Sequence, residues 1–190
     1  MKRITLVAIA WIVVMVFGPV QVHADDLTVA PFTFSAVGLG SFTPGGGPAA
    51  RARWEKVGGD WQLHLEKNVP TTEFAAAGAQ LSPVIGLSTT GLTLGFTVES
   101  GWCGAGAPRF NVRLTNGDLI FLGCFYGNDG SGNVSFTGGG NYGGQVLPLG
   151  EIVESISIIF DEGNDVGPGF VYLDDIFVST ETAGAPGRQP

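Results

Sequence analysis

Residues 155–179 read S-I-S-I-I-F-D-E-G-N-D-V-G-P-G-F-V-Y-L-D-D-I-F-V-S, two apolar β-type runs around an acidic, glycine-rich turn. A strand sends alternate side chains to opposite faces, so the adjacent Asp174 and Asp175 cannot both reach water if the sheet buries one face. One carboxylate is therefore expected inside and compensated, because an unpaired buried charge is costly. Glycine constrains the rest. Of 31 glycines only Gly18 precedes residue 25, and the others cluster between short Val, Ile, Thr and Phe runs, as turns joining short strands do.

The sharpest local expectation is a hairpin over residues 51–66 with Gly58-Gly59 as a two-residue turn of the primed type. Its register sets Val57 opposite Asp60, Trp54 opposite Leu63 and Arg51 opposite Glu66. One face then collects Ala52, Trp54, Trp61, Leu63 and Leu65, which places both tryptophans in the core, and the other collects Arg51, Arg53, Glu55, Gln62, His64 and Glu66. A slip of one residue would invert that sorting. Further strands are expected at 27–34, 84–87, 92–98, 109–114, 119–126, 134–137, 152–160 and 170–178. Asn116-Gly117 is a second hairpin signal, setting Leu114 opposite Leu119. One short helix is expected over residues 72–79, where Thr72 can cap Glu73 and three alanines. About ten short strands indicate an antiparallel sandwich or barrel. A Pro/Gly loop is expected at 43–48 and a polar tail at 181–190.

The N-terminus carries a basic Lys2-Arg3, an apolar stretch over residues 4–17, a Gly18-Pro19 break and small residues around Ala24. That is the layout of a cleaved signal peptide over residues 1–24, followed by one domain over 25–180, secreted or periplasmic, with no stable membrane anchor. The leader holds two of the nine basic residues and none of the seventeen acidic ones. Such an acid excess opposes nucleic acid and anionic membranes as partners. Cys103 and Cys124 are the only cysteines and are expected to be bridged in an exported chain, which stabilises the fold by about 3 kcal/mol in the chain-entropy account.

Counting residues removes most catalytic chemistry. Beyond the leader His64 is the single histidine, an ordinary surface residue on the hairpin's polar face, so histidine-rich zinc sites and two-histidine mechanisms are not available. No G-x-S-x-G elbow exists. Gly138, Gly140 and Gly143 match G-x-G-x-x-G but precede Gln145-Val146-Leu147-Pro148 and no helix start. Residues 127–133 resemble a calcium loop in composition yet lack the distal glutamate, so a tight glycine turn is expected. Carboxylate pairs on strands leave a glycosidase or lyase as an alternative. No catalytic residue is assigned.

Asp161, Asn164, Asp165 and one of Asp174 or Asp175 supply the hard oxygens that calcium prefers. Arg109, Arg113 or backbone amides could satisfy the buried carboxylate instead. Y-L-D-D-I-F-V at residues 172–178, after S-I-I-F-D-E-G, resembles the closing strand of jelly-roll carbohydrate-binding modules, where an L-D-[ND]-I-x-V run is common. That resemblance implies an all-β antiparallel sandwich of jelly-roll type, a sugar-binding role, and a structural calcium ion to which Asp174 contributes. The stretch G-W-C-G-A-G-A-P-R-F-N-V is similar to segments of secreted bacterial proteins of unassigned function. Sugar recognition needs exposed aromatic rings flanked by polar groups. Trp102, Tyr126 and Tyr142, beside glycine-rich loops, are the candidates for an extracellular glycan, with Arg109 as a polar neighbour. A structural or adhesive protein without a small ligand is the competing expectation.

Overall fold

The computed structural model describes residues 27–35 and 49–183. The expected leader, the 43–48 loop and residues 184–190 lie outside the described residues. Along the chain run β1 (Thr28–Ser35), β2 (Ala50–Val57), β3 (Asp60–Lys67), β4 (Ala75–Ser82), β5 (Thr93–Gly101), β6 (Arg109–Leu114), β7 (Leu119–Gly123), the one-turn helix α1 (Cys124–Gly127), β8 (Asn133–Thr137), β9 (Asn141–Tyr142), β10 (Gln145–Val146), β11 (Val153–Phe160), β12 (Phe170–Val178) and β13 (Glu181–Ala183). One sheet has the order β1-β4-β11-β6-β7 and the other β2-β3-β12-β5-β8, with β13 beside β12.

That order is a jelly roll. The strands β4-β11-β6-β7 make one four-stranded layer and β3-β12-β5-β8 the other, with the late strands β11 and β12 inserted into the middle of their sheets. β1 and β2 extend the two layers at one edge. The expected sandwich is therefore present, with thirteen strands among the described residues where about ten were expected. The excess is β9, β10 and β13, each only two or three residues long. β13 also pairs Glu181 with Val178, so ordered sheet extends into what reads as tail. Phe110 of one layer meets Phe96 and Phe136 of the other at 5.3 and 6.0 Å between ring centroids, marking the middle of the core.

The β2–β3 hairpin has the expected register throughout, with Gly58 and Gly59 both at positive φ as a primed turn demands. Ala52, Leu63 and Leu65 are buried, and Trp54 packs on the core while its Nε1 donates to Val29 O at 3.0 Å. Trp61 departs from expectation: it is 39 % exposed. β12 pairs with β3 only from Leu63 to Glu66, so the hairpin tip carries Trp61 past the covered part of the sheet.

Three other expectations fail for local reasons. Arg113, not Leu114, faces Leu119, because the Thr115–Gly117 connection is a three-residue turn in which Gly117 N–H donates to Leu114 O and Gly117 takes positive φ. Residues 84–87 form a turn, closed by Leu87 N–H to Val84 O, with only Val84 buried. The expected helix is instead part of strand β4, between β1 and β11. Its small residues serve close packing: a Cβ on Gly78 would lie 2.6 Å from Ile158 O and 2.8 Å from the Phe32 ring. Tertiary contact overrides the local preference of alanine.

The paired aspartates are resolved by a bulge. The β12–β5 register shifts between Asp174 and Phe177, and Asp175 sits at φ 45°. Leu173 and Ile176 are both buried although three positions apart, so Asp174 is half-buried on the outer face and Asp175 is exposed. Neither carboxylate enters the core, contrary to the alternation argument.

A charged side chain that does go inside is Lys67, 1 % exposed at the end of β3. Its ammonium donates to the carbonyls of Thr71, Glu73 and Asp161 at 3.0, 2.7 and 2.9 Å. All three of its protons are thus used. They tie the β3–β4 connection to the segment leaving β11. Replacing Lys67 by methionine removes three donors and leaves the carbonyls without them, so Lys67→Met is expected to lower unfolding free energy by about 3 kcal/mol in denaturant titration. An unchanged midpoint would show that this ammonium is not a tie.

Candidate functional site

A shallow open cleft of about 300 Å³ lies on the outer face of the β6–β7 edge, lined by Ala105, Gly106, Arg109, Phe121, Tyr126, Tyr142, Gly143 and Gln145. Strand alternation puts Arg109 and Phe121 on that face, while Phe110 and Leu122 go inward. Gly123, opposite Arg109, lets the 104–106 loop lie on the strand, since a Cβ there would collide with Ala105 O. The Cys103–Cys124 disulfide joins that loop to α1, which carries Phe125 and Tyr126. The β9–β10 turn completes the cleft, with Gly143 against the Tyr126 ring so closely that a Cβ could not be accommodated.

Three of the four residues expected to bind ligand, Arg109, Tyr126 and Tyr142, therefore meet in one cleft. Tyr126 is 44 % exposed, and its hydroxyl makes no hydrogen bond among the described residues. Tyr142 contributes its ring only: its hydroxyl accepts from Thr137 N–H at 2.7 Å, and the ring packs edge-on against Phe136. The fourth, Trp102, is elsewhere. Its indole is wedged between Gly104 and Gly167, packs on the core and donates Nε1–H to Glu162. Phe121 and Gln145 line the cleft without having been singled out from sequence. Phe121 was legible as the outward position of an edge strand, while Gln145 carries no signal beyond following a Gly-Gly turn.

Arg109 is nearly saturated. It donates to both carboxylate oxygens of Asp161 at 2.6 and 2.8 Å, to Gly106 O at 2.8 Å and to Asn111 Oδ1 at 3.0 Å. Of its five N–H groups one Nη2–H remains. The guanidinium also lies 5.4 Å from the Phe121 ring centroid.

The four residues expected around calcium do not form one donor set. Asp161 is engaged by Arg109, Asp165 Oδ1 accepts from Thr71 N–H and Oγ1 at 2.7 and 2.8 Å, and Asn164 donates to Asn68 O at 3.1 Å. Asp174 lies four positions along β12 from Phe170, which is about 13 Å away from the acidic loop. Among the described residues no cluster of three or more His, Cys, Asp or Glu side chains is placed to hold a metal. The 127–133 segment is a side-chain-braced turn: Ser131 Oγ–H and N–H and Asn133 Nδ2 all donate to Asp129, holding its carboxyl down to about 2.

A second cavity of about 410 Å³ sits beside Lys67, Thr71, Glu73, Phe74, Asp161 and Glu162, so Asp161 and Glu162 stand between it and the cleft. Burial pushes the Lys67 ammonium down from its ordinary value, against the pull of Asp161, Asp165 and Glu73.

The outer face of the other sheet holds what sequence reasoning missed. His64, expected at the surface, is 7 % exposed, stacked on Tyr172 at 4.3 Å and 3.2 Å from Glu55 Oε1. Tyr172 Oη–H donates to Glu55 Oε2 at 3.0 Å and Arg53 Nε to Oε1. Burial raises the Glu55 carboxyl, but hydrogen bonds from His64, Arg53 and Tyr172 outweigh it and hold the group below its ordinary value. Burial, with the nearby charges of Asp175 and Asp60, holds the Asp174 carboxyl above its own, despite the hydrogen bond from Asp175 N–H. The cross-strand pairs Arg53–His64 and Tyr172–His64 assemble this group, a contact between strands far apart in sequence.

No protein-family model, curated protein or solved structure matches the chain.

Two outcomes follow from these charges. A carboxyl that binds its proton more tightly folded than unfolded costs stability once pH rises through the folded value. Asp174→Asn is therefore expected to raise the melting temperature at pH 7, with the gain disappearing below the ordinary carboxylate value of 3.8; a lower melting temperature at pH 7 would contradict the assignment. The calcium expectation is read in a thermal scan with calcium and with a chelator: a calcium-dependent rise in melting temperature would support it, and an unchanged melting temperature would retire it.

Proposed function

We propose that this chain is a secreted, non-catalytic recognition module that binds extracellular carbohydrate in the cleft between Arg109, Phe121, Tyr126 and Gln145. The observation that carries this reading is the pairing of an open aromatic ring with unspent polar groups. Tyr126 exposes ring and hydroxyl, the Gln145 amide makes no hydrogen bond among the described residues, and Arg109 keeps one N–H. A pyranose offers an apolar ring face ringed by hydroxyls, which such a site complements by stacking and hydrogen bonds. The bridged cysteines suit an oxidising compartment. No helix among the described residues is long and apolar enough to cross a membrane.

A carboxylate-dependent glycosidase is the second reading, favoured by Glu55 and Asp174 standing on one sheet face with their carboxyls displaced in opposite directions. Hydrolysis of polysaccharide mixtures that vanishes in Glu55→Gln would support it over recognition.

For the binding reading, a glycan array followed by titration calorimetry is the test. Tyr126→Ala and Gln145→Ala are each expected to weaken binding about tenfold or more with the melting temperature nearly unchanged. Trp102→Ala is expected to act on stability, since its indole is packed and not presented. Array binding that persists in both cleft variants would move the site elsewhere.

A further inference from the structure

We propose that the cleft selects uncharged sugar rings against acidic ones, and that Asp161 is the residue that sets this preference by neutralising Arg109 from behind. This inference rests on the carbohydrate reading of the same cleft.

An arginine among aromatic rings ordinarily invites a carboxylate or sulfate, because its planar fork matches such groups bidentately. Here the fork is already filled. Asp161 takes one proton from each terminal nitrogen at 2.6 and 2.8 Å, the second Nη1 proton goes to Gly106 O, and Nε–H goes to Asn111 Oδ1. An acidic ligand would have to compete with a chelating carboxylate on the same chain for a guanidinium with only one N–H to give.

A second carboxylate strengthens the effect. Glu162 is held by the Trp102 indole N–H, and its Oε1 would lie 2.5 Å from a Cβ at Gly106, itself part of the cleft lining. The buried Lys67 ammonium, bonded to the Asp161 carbonyl, faces the charges of Asp161, Asp165 and Glu73 and does not offset Glu162. Arg109 and Lys67 thus stand against four carboxylates, Asp161, Glu162, Asp165 and Glu73, so no positive charge is left over for a ligand, on a chain whose formal charge is −8. Long-range attraction for polyanions is absent as well. What remains toward the ligand is directional: one Arg109 N–H, the Gln145 amide and the Tyr126 hydroxyl, each suited to sugar hydroxyls. A volume of about 300 Å³ is at the small end for ligand sites, which suits one ring and not a run of polymer.

Asp161 is placed for this role by the fold. Its main-chain carbonyl is one of the three that accept from Lys67, so the residue is anchored independently of its side chain. A side-chain replacement can therefore free Arg109 while that anchor remains.

Matched pairs that differ only at C6 provide the test: glucose against glucuronate and galactose against galacturonate, titrated by ligand-observed NMR on the full folded chain. Wild type is expected to prefer the neutral member by about tenfold or more, with binding insensitive to sodium chloride. Asp161→Asn is expected to gain about tenfold for the uronate of the preferred pair, a gain suppressed by salt. Should that variant not fold, the wild-type preference and its salt independence decide the matter alone. Wild type binding the uronate as well as, or better than, the neutral sugar would overturn the selectivity and leave the carbohydrate reading intact. A folded Asp161→Asn that gains nothing for the uronate would remove Asp161 from its role. Binding of neither member of either pair would overturn both the reading and this inference.

Discussion

The arrangement depends on one desolvated cation. A lysine ammonium taken out of water is costly unless every proton finds an acceptor, and Lys67 finds three main-chain carbonyls. Those carbonyls belong to two connections, the one after β3 and the one after β11, which are joined besides by Asp165 and Gly163 to Thr71 and by Asn164 to Asn68. The segment after β11 carries Asp161, and Asp161 holds Arg109 in place at the floor of the cleft. The acidic turn that looked from sequence like a seat for a metal is thus organised around cations the chain supplies itself: Lys67 beneath it and Arg109 beside it. Asp165 is occupied by Thr71 in the same manner. Lysine and arginine differ here as their chemistry predicts, a point charge gathering carbonyls and a flat fork chelating a carboxylate.

Jelly-roll winding explains why the cleft sits where it does. Strands β6 and β7 end one layer, so the outer face near them is not covered by a further strand. The chain then crosses to β8 in the opposite layer, and the crossing segments, α1 before β8 and the β9–β10 turn after it, fold back over that edge. Glycines at three contacts permit the approach: Gly123 under Ala105, Gly143 on Tyr126, and Gly104 beside Trp102. The cleft is accordingly an edge feature built from loops on a rigid frame.

How much of this was legible in the sequence follows from the range of the interactions involved. The β2–β3 hairpin was readable to the residue because a two-glycine turn and a period-two pattern fix register locally, and β6 and β12 were bounded correctly for the same reason. Where a neighbour distant in sequence decides, reading failed. The alanine segment became a strand because Phe32 and Ile158 leave no room for larger side chains. His64 became buried because Tyr172, more than a hundred residues later, stacks on it. Trp61 stayed outside because the hairpin outruns its neighbour strand. The aspartate pair misled because strict alternation assumes an unbroken ladder, and a bulge shifts the phase. Of the cleft, Arg109, Tyr126 and Tyr142 were foreseeable as polar and aromatic groups near glycine loops, while Trp102 was not separable from them without knowing that Gly167 would press on its ring.

For the carbohydrate binding proposed above, the disulfide matters energetically. It bridges the two flexible-looking pieces that frame the cleft, the loop after β5 and the single turn of helix, whose four residues could not hold their shape alone. Cross-linking them fixes the spacing between the Gly106 wall and the Tyr126 ring before any visitor arrives. A guest then meets a rigid mould and loses less freedom on the host's side than it would against a pair of wandering loops. Weak contacts, a single ring face and three hydrogen-bonding groups, can in such a frame still amount to selective capture.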